Sequence, residues 1–127
     1  MANTLYDKGR EAFLLGDIDW VADTIKVALI DTGTYTFSQS HDFFNDVSGQ
    51  VGSSVTLANK TATSGVADAD DATFSAVSGN TVEALIIYKD TGNTATSALI
   101  AYIDSATGLA VTPNGGDITV QWDSGSN

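Results

Sequence analysis

The sequence predicts a mainly β protein: a single-domain antiparallel β-sandwich or jelly-roll-like barrel with one short N-terminal helix. Three strand signals predict this fold, and all of them lie in the C-terminal third of the chain, at Thr81–Lys89, Ser97–Asp104 and Asp117–Trp122. The first two are short apolar runs, rich in β-branched and aromatic residues and bounded by turn residues. Because apolar side chains occupy both faces of these two strands, a second sheet or another layer is expected to cover them.

The third segment, Asp117–Trp122, alternates between apolar and polar residues, as expected of a strand with one buried face. Leu109–Thr112 precedes it, and the two segments flank Pro113–Gly116. The Asn114-Gly115 dipeptide accepts the positive φ angles that tight hairpin turns require. The sequence therefore predicts a hairpin at this position.

Residues 1–16 differ from the rest of the chain and predict one short helix. Asn3 or Thr4 is the expected N-cap, and Gly16 is placed to end the helix. The apolar side of the helix is predicted to consist of Leu5, Tyr6, Phe13 and Leu14. A helix of this length must dock on its own sheet or on a partner subunit, because it is only marginally stable alone.

The next segments predict one strand, Thr24–Asp31, and then a long irregular excursion over residues 32–52. Trp20 is expected to pack over the sheet edge. A helical turn is expected at Ser40–Asn45 within the excursion. Its aromatic residues are Tyr35, Phe37, Phe43 and Phe44. These rings either bind a partner or pin the excursion to the core.

The middle of the chain predicts weaker strands. Ser53–Thr63 alternates weakly and Ser64-Gly65 predicts a turn. Val66–Val77 is expected to form an edge or half-exposed strand, with Asp68 and Asp70 pointing outward to block edge pairing.

The composition restricts the function classes. The chain has 127 residues, enough for one domain over 1–127, and its formal charge of −11 argues against nucleic acid or an anionic membrane as partner. No apolar segment approaches the ~20 residues of a membrane span, and the N-terminus lacks a signal-peptide pattern. Since cysteine is absent, disulfides, cysteine-ligated zinc and thiol nucleophiles are excluded.

The residues that could carry chemistry are few. His41 is the only histidine, and no Gly-x-Ser-x-Gly motif accompanies it. Nothing singles out a carboxylate pair for glycoside hydrolysis, because most of the sixteen acidic residues are Asp spread along the chain. The sequence therefore predicts a binding protein without catalytic residues or a cofactor.

Two acidic clusters are open to two interpretations, solvated turns or oxygen ligands for Ca²⁺. The clusters are Asp17, Asp19 and Asp23, and Asp68, Asp70 and Asp71. Neither follows the twelve-residue calcium-loop pattern with its glycine and terminal glutamate. The interpretation as turns and edge strands is preferred, and no metal site is predicted.

Five segments, which together cover most of the chain, carry a resemblance to known proteins: Leu5–Trp20, Asp23–Asp31, Ile86–Gly92, Leu99–Asp104 and Pro113–Trp122. They resemble a family of small structural proteins of tailed bacteriophages and prophages. In that family the Trp-Asp-x-Gly pattern, here Trp122–Gly125, is followed by a few more residues. These motifs form the fold and are not catalytic.

The resemblance implies a virion component made in the cytoplasm of a bacterial host, namely a capsid decoration or cement protein. Its implied partner is the major capsid protein, and the copies are expected to form a homo-oligomer on the shell. A tail or fibre component that binds a receptor or carbohydrate, with an aromatic ring stacked on sugar, is the alternative. The predicted partner-contacting residues are Tyr6, Arg10, Phe13, Trp20, Phe43 and Phe44.

Overall fold

A computed structural model describes residues 3–106 and 108–122. Within these residues the chain forms one helix, α1, at Asp7–Leu15 and a short 3₁₀ turn at Phe44–Asp46. The strands are β1 (Thr4–Leu5), β2 (Ile25–Ile30), β3 (Gln50–Thr56), β4 (Thr61–Thr63), β5 (Val66–Asp68), β6 (Ala72–Phe74), β7 (Ala84–Lys89), β8 (Leu99–Ile103) and β9 (Ile118–Val120).

The strands form one main antiparallel sheet and two small ones. The main sheet has the order β1-β8-β7-β2-β3, while β4 pairs with β5 and β6 pairs with β9. Its centre is regular, because β2 and β7 pair along their whole length, from Ile25 opposite Lys89 to Ile30 opposite Ala84. The described residues contain no closed barrel and fit a β-sandwich, so the predicted mainly β fold is confirmed.

The main sheet has a hydrophobic core on each face. On one face, side chains such as Val27 and Ile87 pack with Phe74 of the small β6–β9 sheet. On the other face, Ile30 and Ile86 pack with aromatic residues from the segment after β2. Strand β7 is therefore buried on both sides, as its continuous apolar sequence predicts.

The covering layer on the second face is the excursion that the sequence predicts at residues 32–52. It ends earlier than predicted, because β3 begins at Gln50, and its helical turn lies at Phe44–Asp46 instead of Ser40–Asn45. Phe44 stacks on Tyr88 with 4.1 Å between ring centroids, and Phe37 stacks on Tyr102 at 4.4 Å. These rings hold the excursion against the sheet.

The N-terminal helix is shorter than predicted. It begins at Asp7, because Thr4–Leu5 pairs with β8 as a strand. Asn3 does not cap the helix: its side-chain oxygen accepts the backbone N–H groups of Asp104 and Ser105. Gly16 ends the helix as predicted, with a left-handed φ of 76°.

The buried side of α1 differs from the prediction. Gly9 and Ala12 are its buried residues, whereas Phe13 and Leu14 are exposed. A Cβ atom on Gly9 would lie 2.8 Å from both Cα and the carbonyl oxygen of Ile100. The helix therefore lies directly against the backbone of β8, and only small residues fit between them.

The predicted hairpin around Pro113–Gly116 is wrong. Strand β9 pairs with β6, so that Ile118 lies opposite Phe74, while Val111 forms an isolated bridge with Val82. The turn itself exists, but its glycines bond to Val77 through two backbone hydrogen bonds. Because β6 also alternates between buried and exposed residues, it matches the half-buried pattern of β9.

The predicted strand Val66–Val77 is two strands. β5 pairs with β4 across the Ser64-Gly65 turn, which is confirmed by positive φ angles at both residues. β6 begins at Ala72 and covers the main sheet instead of forming an exposed edge, with Ala72 and Phe74 buried. Residues 123–127, including the end of the Trp122–Gly125 pattern, lie outside the described residues.

Because the tyrosines are buried, we expect their phenols to ionise only above the pH at which an exposed tyrosine does. All four tyrosines, Tyr6, Tyr35, Tyr88 and Tyr102, are buried, and loss of solvation raises the pKa of each phenol. The neutral phenols are stabilised by folding, so this contribution is complete below pH ~10 and is lost as the pH rises further. We expect tyrosinate absorbance to appear only together with unfolding, as followed by circular dichroism. A phenol that titrates near pH 10 in the folded protein would contradict this.

Candidate functional site

An open apolar groove lies on the first face of the main sheet, beside the small sheets. Its volume is about 1140 Å³. Leu85 and Ile87 of β7 and Ile100 of β8 line it, together with residues of the β4–β5 hairpin, the segment after α1 and the end of β9. The side chains that the central strands contribute to this lining are themselves buried, with Leu85 5%, Ile87 8% and Ile100 4% exposed.

Trp20 forms one wall of the groove. Its indole N–H lies 3.0 Å from the carbonyl oxygen of Thr61 and 3.3 Å from that of Asp68, so it bonds to both strands of the β4–β5 hairpin. The sequence places Trp20 over the sheet edge, and the ring packs against the core of that face. Its indole therefore joins the segment after α1 to the hairpin.

Trp122 also lines the groove, after the end of β9. Its backbone N–H donates to the carboxylate of Asp71 over 3.0 Å. Its indole N–H is buried and has no acceptor among the described residues. Both tryptophans of the chain thus lie at one site.

The first acidic cluster stabilises the loop between α1 and β2. The carboxylate of Asp19 accepts the backbone N–H groups of Val21 and Ala22, and that of Asp23 accepts the N–H of Asp19. This last bond, assisted by the Lys89 ammonium 3.2 Å away, lowers the pKa of Asp23. These carboxylates therefore shape the wall of the groove.

The second acidic cluster is also engaged in hydrogen bonds. Asp70 accepts the amide of Asn59 over 2.5 Å, and Asp68 accepts the N–H of Ala69. Across residues 3–106 and 108–122, no group of three or more His, Asp or Glu side chains could hold a metal ion. Asp68 and Asp70 thus accept hydrogen bonds from residues of their own or a neighbouring turn.

An apolar patch adjoins the groove. It consists of the large apolar side chains that remain exposed, namely Leu5 (42%), Phe13 (38%), Leu14 (87%), Leu15 (66%) and Val21 (54%). Leu5, Phe13 and Val21 also line the groove. The patch and the groove are therefore continuous through these three residues, while Leu14 and Leu15 follow Phe13 directly in α1 and lie outside the groove lining.

The structure brings together two of the six predicted contact residues, Phe13 and Trp20, at the groove. Two others are corrections, because Tyr6 is fully buried and Phe44 is buried against Tyr88. Neither is available to a partner on the free surface. Their aromatic side chains are large enough to fill the core beneath the excursion, and this use of the rings dominates.

The remaining two predicted contact residues lie away from the groove lining. Arg10 is exposed and forms an ion pair with Asp7 on the same helix. Phe43 is half-buried, and the Lys8 ammonium lies 5.2 Å from the centre of its ring. Their proposed role in partner contact stays a prediction.

Sequence reasoning missed Leu15, Val21 and the groove itself. One signal was present, because Leu14 and Leu15 are adjacent just before Gly16. Adjacent helical positions point about 100° apart, so Phe13, Leu14 and Leu15 cannot all face one buried side. At least one of these side chains had to remain exposed.

The only histidine has a structural position. The Nδ1 atom of His41 lies 2.7 Å from the hydroxyl of Tyr35, which lies 3.0 Å from the hydroxyl of Tyr6. This chain of hydrogen bonds satisfies the buried phenol of Tyr6 and connects the excursion to the N-terminal segment.

In the residues that the structure describes, most cations of the chain form ion pairs, whereas most of its acidic residues do not. Four of its five cations form ion pairs within the chain: Lys8 with Glu11, Arg10 with Asp7, Lys26 with Asp90 and Lys89 with Asp23. Most of the sixteen acidic residues therefore have no cationic partner in the described part of the chain. The surface field is negative, which favours a basic partner.

No protein-family model matches the chain, and a search of curated proteins found no relative. None of the helices in the described residues is both long and apolar enough to span a membrane.

Proposed function

We propose that the chain is a non-enzymatic virion structural protein, a decoration or cement protein that binds the outer surface of a phage head and stabilises the shell. The observation that carries this proposal is the continuous apolar surface formed by the patch and the groove. Soluble monomers rarely expose large contiguous apolar patches unless these bind something. The resemblance of the N- and C-terminal segments to phage structural proteins supports the choice of partner, the major capsid protein.

The architecture suits such a role. A cement protein must hold its contact surface rigid while it joins neighbouring capsid subunits, because ordering a mobile surface on binding costs affinity. Here the central strands have a core on each face, and Trp20 ties the groove wall to the β4–β5 hairpin. Several copies bound as a homo-oligomer would distribute contacts over several capsid subunits.

Quantitative mass spectrometry of purified particles tests the proposal. We expect the copy number of this chain to equal that of the major capsid protein or a simple fraction of it, because a decoration protein follows the symmetry of the shell. Absence from the particle would overturn a virion role.

A tail or fibre module that binds a receptor or carbohydrate is the second candidate. It is favoured by Trp20 and Trp122, which line the same groove, since aromatic faces stack on sugar rings. The same mass-spectrometric count separates the two candidates. Only a few copies per particle would place the chain in the tail and favour this second function.

A further inference from the structure

Acidic residues border the surface that the groove and the apolar patch form together. Asp17 and Asp19 lie in the loop that carries Val21, and Asp68 lies in the hairpin beside Trp20. Within the described residues none of these three carboxylates is part of an ion pair, because Lys89 is bound to Asp23 and to the carbonyl oxygen of Asp17. Two cations also lie near this border, Lys89 and Lys60, the latter next to Thr61, which pairs with Asp68. The carboxylates outnumber them, so the border carries a net negative charge.

This charge distribution favours a basic partner over a second copy of the chain. A second copy of the chain would bring the same apolar patch with the same acidic border, and like charges placed together across an interface are costly. A basic partner would instead gain from every carboxylate at the border. An oligomer of this chain on the shell would therefore use a different surface.

The shape of the groove selects a protruding segment over a flat surface. Pockets of ~300–1,000 Å³ hold whole drug-sized molecules, so a groove of about 1140 Å³ has room for more than one large side chain. The lining from Leu85, Ile87 and Ile100 is aliphatic. Large aliphatic or aromatic side chains match it best.

We propose that the groove and patch bind a basic segment of the partner protein, in which large aliphatic or aromatic side chains enter the groove while flanking lysine or arginine residues contact Asp17, Asp19 and Asp68. This assignment rests on the proposed function, in which the partner is the capsid protein. Leu14 and Leu15, which are exposed at the end of α1, contact those apolar side chains of the partner's segment that remain outside the groove.

The first test uses peptides and does not require particles. A short synthetic peptide of alternating leucine and lysine is titrated against the full chain while tryptophan emission is recorded, since both tryptophans line the groove. We expect saturable binding that weakens as salt is raised. Peptides with glutamate in place of lysine, or serine in place of leucine, are expected not to bind. Equal binding of all three peptides, or none by the basic one, would overturn the proposal.

Variants then locate the binding surface. Leu14→Ser combined with Leu15→Ser should weaken peptide binding roughly tenfold, and Leu14→Met with Leu15→Met should restore it. Asp17 lies between the groove-lining residues Gly16 and Ile18, and Asp17→Asn should weaken binding about threefold through lost charge attraction. Asp117 has no neighbour in the chain that lines the groove, and Asp117→Asn should leave affinity unchanged. Equal effects of the two Asn variants would show that only net charge matters and would contradict the assigned surface.

The same variants are measured for binding to shells that lack this chain. If the variants weaken shell binding in the same order as they weaken peptide binding, both the assigned binding surface and the proposed function are supported. Shell binding that is unaffected by the leucine variants overturns the surface and leaves the function intact. Peptide binding without shell binding supports the surface and overturns the capsid as partner. Self-association that the leucine variants abolish would identify a second copy as occupant and overturn the proposal.

Discussion

Gly9→Ala is expected to lower the free energy of unfolding by about 2 kcal/mol or more, although alanine favours an isolated helix by ~1 kcal/mol over glycine. The reason is the contact with β8. The added Cβ atom would lie 2.8 Å from Cα and the carbonyl oxygen of Ile100 and 2.9 Å from the carbonyl oxygen of Leu99. These are backbone atoms of a strand that is paired on both sides, so they cannot move away at low cost.

Urea unfolding followed by circular dichroism measures this effect. Glu11→Ala is the matched control on the exposed side of the same helix, where only the surface ion pair with Lys8 is lost. It should change the free energy of unfolding by less than ~0.5 kcal/mol. If Gly9→Ala were as stable as the wild type, α1 could not lie as close to β8 as described.

The helix shows why part of the fold could not be predicted. The role of Gly16 is predictable from the sequence because a left-handed residue after the last turn is a local requirement of the helix. The buried face was not, because Gly9 is selected by a strand from the other end of the chain. Helix propensity alone counts this glycine as a residue that destabilises the helix.

The strands show the same division between local and distant information. The burial of β7 on both faces follows from its own apolar run. The partner of β9 does not, because alternation marks a half-buried strand without stating which other strand it joins. A tight turn next to an alternating segment favoured a local hairpin, and the pairing of Ile118 with Phe74 overrides it.

The candidate site was only partly predictable because residue type does not determine exposure. Aromatic residues are common both in cores and at interfaces, and Tyr6 and Phe44 belong to the core. Phe13 and Trp20 belong to the groove. The distinction depends on which face of the main sheet the excursion covers. Contacts between distant parts of the chain determine that face.

Asp31→Ala is the second substitution with a large expected effect. The buried carboxylate accepts hydrogen bonds from the backbone N–H of Gly33 at 2.8 Å, the side-chain amide of Asn80 at 2.9 Å and the hydroxyl of Thr34 at 3.2 Å. It therefore connects the end of β2 to the excursion and to the turn before β7. Removing it leaves partly buried donors without an acceptor, and we expect a loss of about 2–3 kcal/mol at neutral pH.

The effect of Asp31→Ala should also depend on pH. The Gly33 N–H, with the Asn80 and Thr34 side chains, lowers the pKa of the Asp31 carboxyl in the folded protein. The stabilisation is therefore complete above the unfolded value of ~3.9 and is lost as the pH falls through the folded value. Urea unfolding from neutral to acidic pH should show the difference between wild type and variant shrinking over this range. Asp17 is exposed and takes no part in these bonds, so Asp17→Ala should leave the free energy of unfolding at neutral pH nearly unchanged. A pH-independent difference at Asp31 would mean that the side chain stabilises the fold by packing and not by its charge.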